Sequence, residues 1–302
     1  MPTATARARR SIALTAALCA LAAAAHSPAA ASQPQTKNWD RTFTVAAHPL
    51  VRLSNEDGHV NVRTGASGSV RCQVRWSEHR WGFTSPSRDP QVEMSQNGNE
   101  VTVRVRQPDV FMLFGGSETR LEVDLIVPAD CDLSIQSGDG AVTLEQPVSG
   151  KIDVTTGDGR IVAHGTRGDI HLRSGDGAVM CDSLDGAVSV RSGDGHVSLS
   201  GRFDRLETHS ADGRVEITAV KGSKMADEWS VETQDGPLTV RIPRDLNAEL
   251  DAHTGDGGIR FQLPVTVEGP LDHHTIRGMI NSGGPLLRLR TGDGTLTLAV
   301  SD

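Results

Sequence analysis

Along most of this chain apolar residues alternate with polar ones at a period of two, and Asp-Gly turns break the alternation at recurring intervals. Such alternation marks a strand with one buried face. The turns fall at Asp57, Asp139, Asp158, Asp176, Asp194, Asp212, Asp235, Asp256 and Asp293. From Asp139 to Asp212 the steps are 19, 18, 18 and 18 residues, and the later ones are 23, 21 and 37. The flanks of each turn test whether this is a true repeat. The positions six and four before the Asp, and three and five after it, are Val188, Val190, Val197 and Leu199 for Asp194, and Leu287, Leu289, Leu296 and Leu298 for Asp293. Of 36 such positions 35 are apolar, Thr208 being the exception, whereas an overall apolar content of 37% would fill about 13. The turns therefore belong to one repeating structural unit.

Each unit predicts a strand, a Gly-Asp-Gly corner and a second strand, with another corner at Gly150, Gly168 or Asp185-Gly186. One unit alone cannot bury its apolar row, but stacked units bury a continuous ladder. The expected fold is all-β: a parallel β-solenoid of about 18-residue two-strand coils with an N-terminal antiparallel β insertion. At about 4.8 Å per coil, eight or nine coils make a rod of about 40 Å. An antiparallel sandwich of hairpins is the alternative, because Asp-Gly is also a hairpin turn. The constant 18-residue step favours the solenoid, since coils must match in length to stack.

The period fails in two places. Between residues 69 and 128, Val70 to Trp76, Val101 to Val105 and Leu121 to Leu125 alternate as longer strands, read as antiparallel, with irregular loops at 80–90 and 107–119. The second loop holds Val110-Phe111-Met112-Leu113-Phe114, expected to cap the open end of the core; a sticky contact site is the alternative. Residues 262–286 form the second interruption, after which Leu286 to Val300 reads as a last coil that closes the chain. The resulting division is a leader over 1–31, an N-terminal β region over 32–128 and a repeat array over 129–302.

The leader has a basic start (Arg7, Arg9, Arg10), an apolar stretch from Ile12 to Ala25 and an A-x-A site at Ala29-Ala30-Ala31. This is the pattern of a cleaved signal peptide, with the mature protein starting near Ser32, and Arg9-Arg10 also admits twin-arginine export. Without the leader, 27 basic residues face 38 acidic ones, a net charge of −11. That balance argues against nucleic-acid partners and anionic membranes, and no later run is apolar enough to span a bilayer. Cys72, Cys131 and Cys181 are odd in number and contain no C-x-x-C, so they read as small buried hydrophobes.

Several groupings could carry chemistry. Asp139, Asp158, Asp176, Asp194 and Asp212 should stack along one edge, where neighbouring carboxylates repel by about 0.9 kcal/mol per pair even in water. Either each Asp caps its own turn, with Gly supplying positive φ, or Ca²⁺ bridges successive coils. Ser137, Thr156, Ser174, Ser192, Ser210, Thr233, Thr254 and Thr291 form an inward column suited to bonding corner backbone. Asp272-His273-His274 is read as a solvated loop, because no second ligand pair accompanies it for zinc. Arg173 and Arg191 stack on the outer face beside Gln136, Thr155 and His209, and are the candidate ligand-face residues. No two carboxylates outside the turn row recur in register for acid–base work, so no catalytic or cofactor-binding residues are expected.

The alternating N-terminal strands, the ending Val127-Pro128 and the S-G-D-G-x-V-x-L repeats resemble the bacterial putative-adhesin domain family. So does Ile280-Asn281-Ser282-Gly283-Gly284 followed by Leu287-Arg288-Leu289-Arg290-Thr291-Gly292-Asp293-Gly294. The resemblance covers residues 40–300. It implies a β-solenoid of unknown function in exported or membrane-tethered envelope proteins, and brings no functional residues with it. Together these features point to a non-catalytic surface- or polysaccharide-binding protein in the periplasm, on the outer surface or secreted. A structural envelope component without soluble ligand, or a carbohydrate-active enzyme on a β-helix, are the other classes considered.

Overall fold

The computed structural model describes residues 35–84, 89–107, 112–267 and 273–301. The leader, Val110-Phe111 and Asp272 lie outside the described residues. Residues from Pro34 onward form one compact unit. Among the described residues all regular structure is β, in one 23-stranded sheet, and no helix is long and apolar enough to cross a membrane.

Two rows of strands run side by side, one preceding the Asp-Gly corners and one following them. In the preceding row Asp132–Ser137, Ser149–Thr156 and Arg167–Ser174 pair in parallel, with Leu133, Ile152 and Ile170 in register. In the following row Val142–Leu144, Ile161–His164 and the start of Val179–Ser192 do the same. The apolar positions found by periodicity line the space between the rows. All are buried apart from Ile259 and Phe261, which are half-buried, and the exceptional Thr208 is buried as well. In the interior Phe203 and Trp229 pack edge to face, with ring centroids 6.1 Å apart.

The corners are dictated by backbone proximity. A Cβ on Gly159 would lie 2.1 Å from the Gly140 carbonyl oxygen, and one on Gly177 2.0 Å from that of Gly159. At these corners the neighbouring repeat excludes a side chain, rather than positive φ demanding glycine. The second corner uses both reasons: Gly168 has φ +111°, and a Cβ there would meet the Gly150 oxygen at 2.3 Å. Gly150, Gly168 and Gly186 stack in register, as their spacing predicts.

At both ends the repeats are stacked out of chain order. The Asp57 repeat is not outermost, because Leu50–Asn55 sits between Glu100–Arg106 and Asp132–Ser137. Likewise Leu286–Asp293 lies between Trp229–Asp235 and Ala248–Asp256, so the Asp293 repeat is inserted and the Asp256 repeat is outermost. The 37-residue step is thus not two coils laid in succession. Within it, Thr275–Ile280 runs antiparallel along the free edge of Ala248–Asp256 and is itself covered by Thr266–Val267.

The stretches read as loops at 80–90 and 107–119 are in large part strand. Ser69–Thr84 and Met112–Pro128 pair antiparallel from Arg71↔Ile126 out to Thr84↔Met112. The glycines that suggest turns, Gly82 and Gly115, face each other across this ladder. Among the described residues, two strands close this end of the core. Gln35–Thr44 extends one row and Gln91–Asn97 the other. Arg41 donates to the Met94 carbonyl (2.6 Å) and Gln96 to that of Thr44 (2.7 Å), while Trp39, Val92 and Met94 pack on the core. At the opposite end Ile259, Phe261, Leu263 and Val265 do the same.

Candidate functional site

The outward position three residues before each corner Asp, continued by Arg104 on the strand flanking the Asp57 repeat, forms a continuous ladder. Following the registers, it reads Arg104, Ser54, Gln136, Thr155, Arg173, Arg191, His209, Glu232, Arg290 and His253. Parallel pairing without slip places these side chains one above another, about 4.8 Å apart. Arg173 and Arg191 are adjacent and exposed, as expected. Each also has an acidic neighbour on the next repeat. Arg173 lies 3.7 Å from Asp153, and Arg191 donates to Glu207 at 2.8 Å. Exposed pairs of this kind are worth under about 1 kcal/mol, so both guanidiniums can exchange partners at little cost.

The five candidate aspartates line one edge and are all exposed. Among the described residues no group of three or more His, Cys, Asp or Glu side chains is arranged to hold a metal ion. The turn-capping role expected of the aspartates falls to the Ser/Thr column. The Thr156 hydroxyl donates to the Gly138 carbonyl (2.7 Å) and accepts from the Gly159 N–H (3.2 Å). Ser174 donates to Gly159, Thr233 to Ala211, Thr254 to Gly294 and Thr291 to Gly236. Most of these bonds reach into the neighbouring repeat and so fasten corner to corner. In the Asp row, the bond seen is the Asp139 N–H donating to Asp57 (3.4 Å), also between repeats.

The remaining candidates have structural places. Cys72, Cys131 and Cys181 are free and buried, and burial pushes each thiol up to about 12, which keeps them unreactive at neutral pH. His273 and His274 are exposed, and the His274 carbonyl accepts the Thr254 N–H. A grouping missed by sequence reading is His48, whose ring nitrogens meet Asp130 at 2.9 Å and Asp132 at 3.0 Å. The hydrogen bond to Asp130, helped by the Asp132 charge, raises the pKa of His48. A second missed feature is a cleft of about 370 Å³ at the C-terminal part of the ladder, walled by His209, Glu232, Gln234, Asp235, His253 and Arg290. Its floor includes Gly255 and Gly292, where a Cβ would meet backbone oxygens at 2.9 and 2.3 Å, so bare backbone is enforced.

Fold and face together define a repetitive, solenoid-like all-β protein that exposes a ladder of polar and charged side chains. The chain belongs to the Toastrack DUF4097 family, whose model matches residues 53–299. Solved structures similar to it include a putative adhesin from Bacteroides fragilis (10% identity, TM-score 0.40, covering 88% of this chain and 97% of that one). A putative cell adhesion protein from Clostridium sporogenes matches at 12% identity and TM-score 0.29, covering 88% and 100%. A structure from Parabacteroides distasonis described as a putative lipid binding protein matches at 9% and 0.29, covering 88% and 97%. No curated protein matches the chain.

Proposed function

We propose that this chain is an exported, non-catalytic β-solenoid of two-strand coils, with an N-terminal antiparallel insertion, that binds an envelope surface or polysaccharide through its outer ladder. The observation that carries this reading is the register of Arg173 on Arg191, at the centre of an exposed polar row. Evenly spaced donors and acceptors on a flat face suit a partner that repeats, since many weak contacts add along the stack. The signal-peptide pattern of residues 1–31 supports an address outside the cytoplasm.

The test is retention of the purified protein on a panel of insoluble polysaccharides and envelope preparations, with calcium and chelator arms and an assay for released sugar. Retention that falls at least fivefold in Arg173→Glu/Arg191→Glu, with no sugar released, is the expected result. Loss of retention in chelator alone would move the binding role to the Asp row, Asp139 to Asp212. Released sugar would overturn the non-catalytic reading.

A further inference from the structure

The cleft between the ladder and the Asp row is assembled by the out-of-order stacking. Glu232, Arg290 and His253 are neighbours because the Asp293 repeat is inserted between the Asp235 and Asp256 repeats. His209 completes the row on the other side of Glu232. From His209 to His253 is three inter-strand steps, or about 14 Å. Elsewhere along this face the position before the corner Asp is mostly glycine, as at Gly157, Gly175 and Gly193, and brings no side chain to the strip. Here Gln234 takes that position on the Asp235 repeat and is exposed, standing as a wall above the bare backbone of Gly292 and Gly255.

The chemistry of the walls narrows the ligand. Donors come from Arg290, the Gln234 amide and the two imidazoles, and acceptors from Glu232, Asp235 and the Gln234 carbonyl. Glu232 and Arg290 have additional partners, Ser230 (3.0 Å) and Asp251 (2.8 Å), which hold them in place. Among the described residues no aliphatic, Phe or Trp side chain lines the cleft; its carbon surface comes from imidazole rings, side-chain stems and glycine backbone, which suits the CH faces of a sugar ring. Two carboxylates in the wall repel an acidic ligand. A group that both donates and accepts at every position fits this lining, and the hydroxyls of a neutral sugar have that property.

We propose that this cleft is a subsite for a neutral saccharide unit. It rests on the polysaccharide-binding reading and places the concave part of that surface from the repeat next to Arg191 onward, between His209 and His253. The test is a titration of the protein with soluble neutral and uronate-containing oligosaccharides, followed by calorimetry or ligand-observed NMR. His209→Ala/Gln234→Ala removes two exposed walls, Gln234→Phe fills the space, and thermal melts establish that each variant folds. Neutral oligosaccharides should bind at least tenfold more weakly to both cleft variants than to the parent, with Arg173→Glu/Arg191→Glu measured alongside. Unchanged affinity in the folded cleft variants, a preference for the uronate series, or no binding by the parent would each overturn the subsite. If binding instead followed Arg173 and Arg191, the cleft assignment would fail while the ladder reading stood.

Discussion

The repeats from Asp139 to Asp212 and the repeats at the two ends solve one packing problem differently. In the middle, chain order and stacking order coincide, and each repeat is covered on both sides by near-copies of itself. At the ends a repeat has a neighbour on one side only, and its other edge would present a row of open N–H and C=O groups. The chain answers by leaving its own order. It inserts the Asp57 and Asp293 repeats one place in from the ends, and covers the outer edges with antiparallel strands such as Gln91–Asn97 and Thr275–Ile280. Regularity serves the core, and irregularity closes the edges and shapes the one described cleft on the ladder face.

The largest contrast should come from glycine. Gly177→Ala drives a Cβ to 2.0 Å from the Gly159 oxygen, whereas Gly258 near the end has nothing within 4 Å. The first substitution should cost more than about 3 kcal/mol or abolish folding, and Gly258→Ala should cost less than about 0.5, as read by denaturant unfolding. Next comes the core. Leu172→Ala, in a fully covered repeat, should cost about 2–5 kcal/mol, and Ile259→Ala in the half-covered outermost repeat about 1 kcal/mol or less. Equal losses at the two sites would mean that the ends are as tightly packed as the middle.

Thr208 offers an effect of opposite sign. Its hydroxyl is buried without a partner, between Val190 and Val231 in register. Thr208→Val should stabilise the protein by about 1 kcal/mol in the same assay. The smallest effect concerns His48 and the carboxylates of Asp130 and Asp132. The folded state raises the His48 pKa from 6.5, so this contribution is complete below that value and is lost as pH rises through the raised one. The ring is about half exposed, so no more than about 0.5 kcal/mol should disappear, and His48→Gln should remove that slope from the pH profile of stability.

How much of this was legible in the sequence follows the same division. The 18-residue step fixed the apolar ladder, the inward Ser/Thr column and the Arg173–Arg191 stack, because in the middle a constant period translates directly into register. Stacking order at the ends was hidden, since every repeat offers the same edge and nothing in its pattern says which neighbour takes it. The long Ser69–Thr84 and Met112–Pro128 pair was obscured for a different reason. Gly82 and Gly115 are turn residues by composition, yet they pair with each other within a long antiparallel ladder. The cleft was illegible because His209, Glu232, Arg290 and His253 follow no common spacing and meet only through the inserted repeat.

The inserted repeat can be tested directly with paired cysteines on the outer face of the following row. There Thr239 faces Thr297, and Thr297 faces Arg260. Thr239→Cys/Thr297→Cys should form an intramolecular disulfide on mild oxidation, and Thr239→Cys/Arg260→Cys should not, because an entire strand separates the second pair. If the second pair closed and the first did not, the repeats would stack in chain order, and both the closed C-terminal edge and the cleft built upon it would be contradicted.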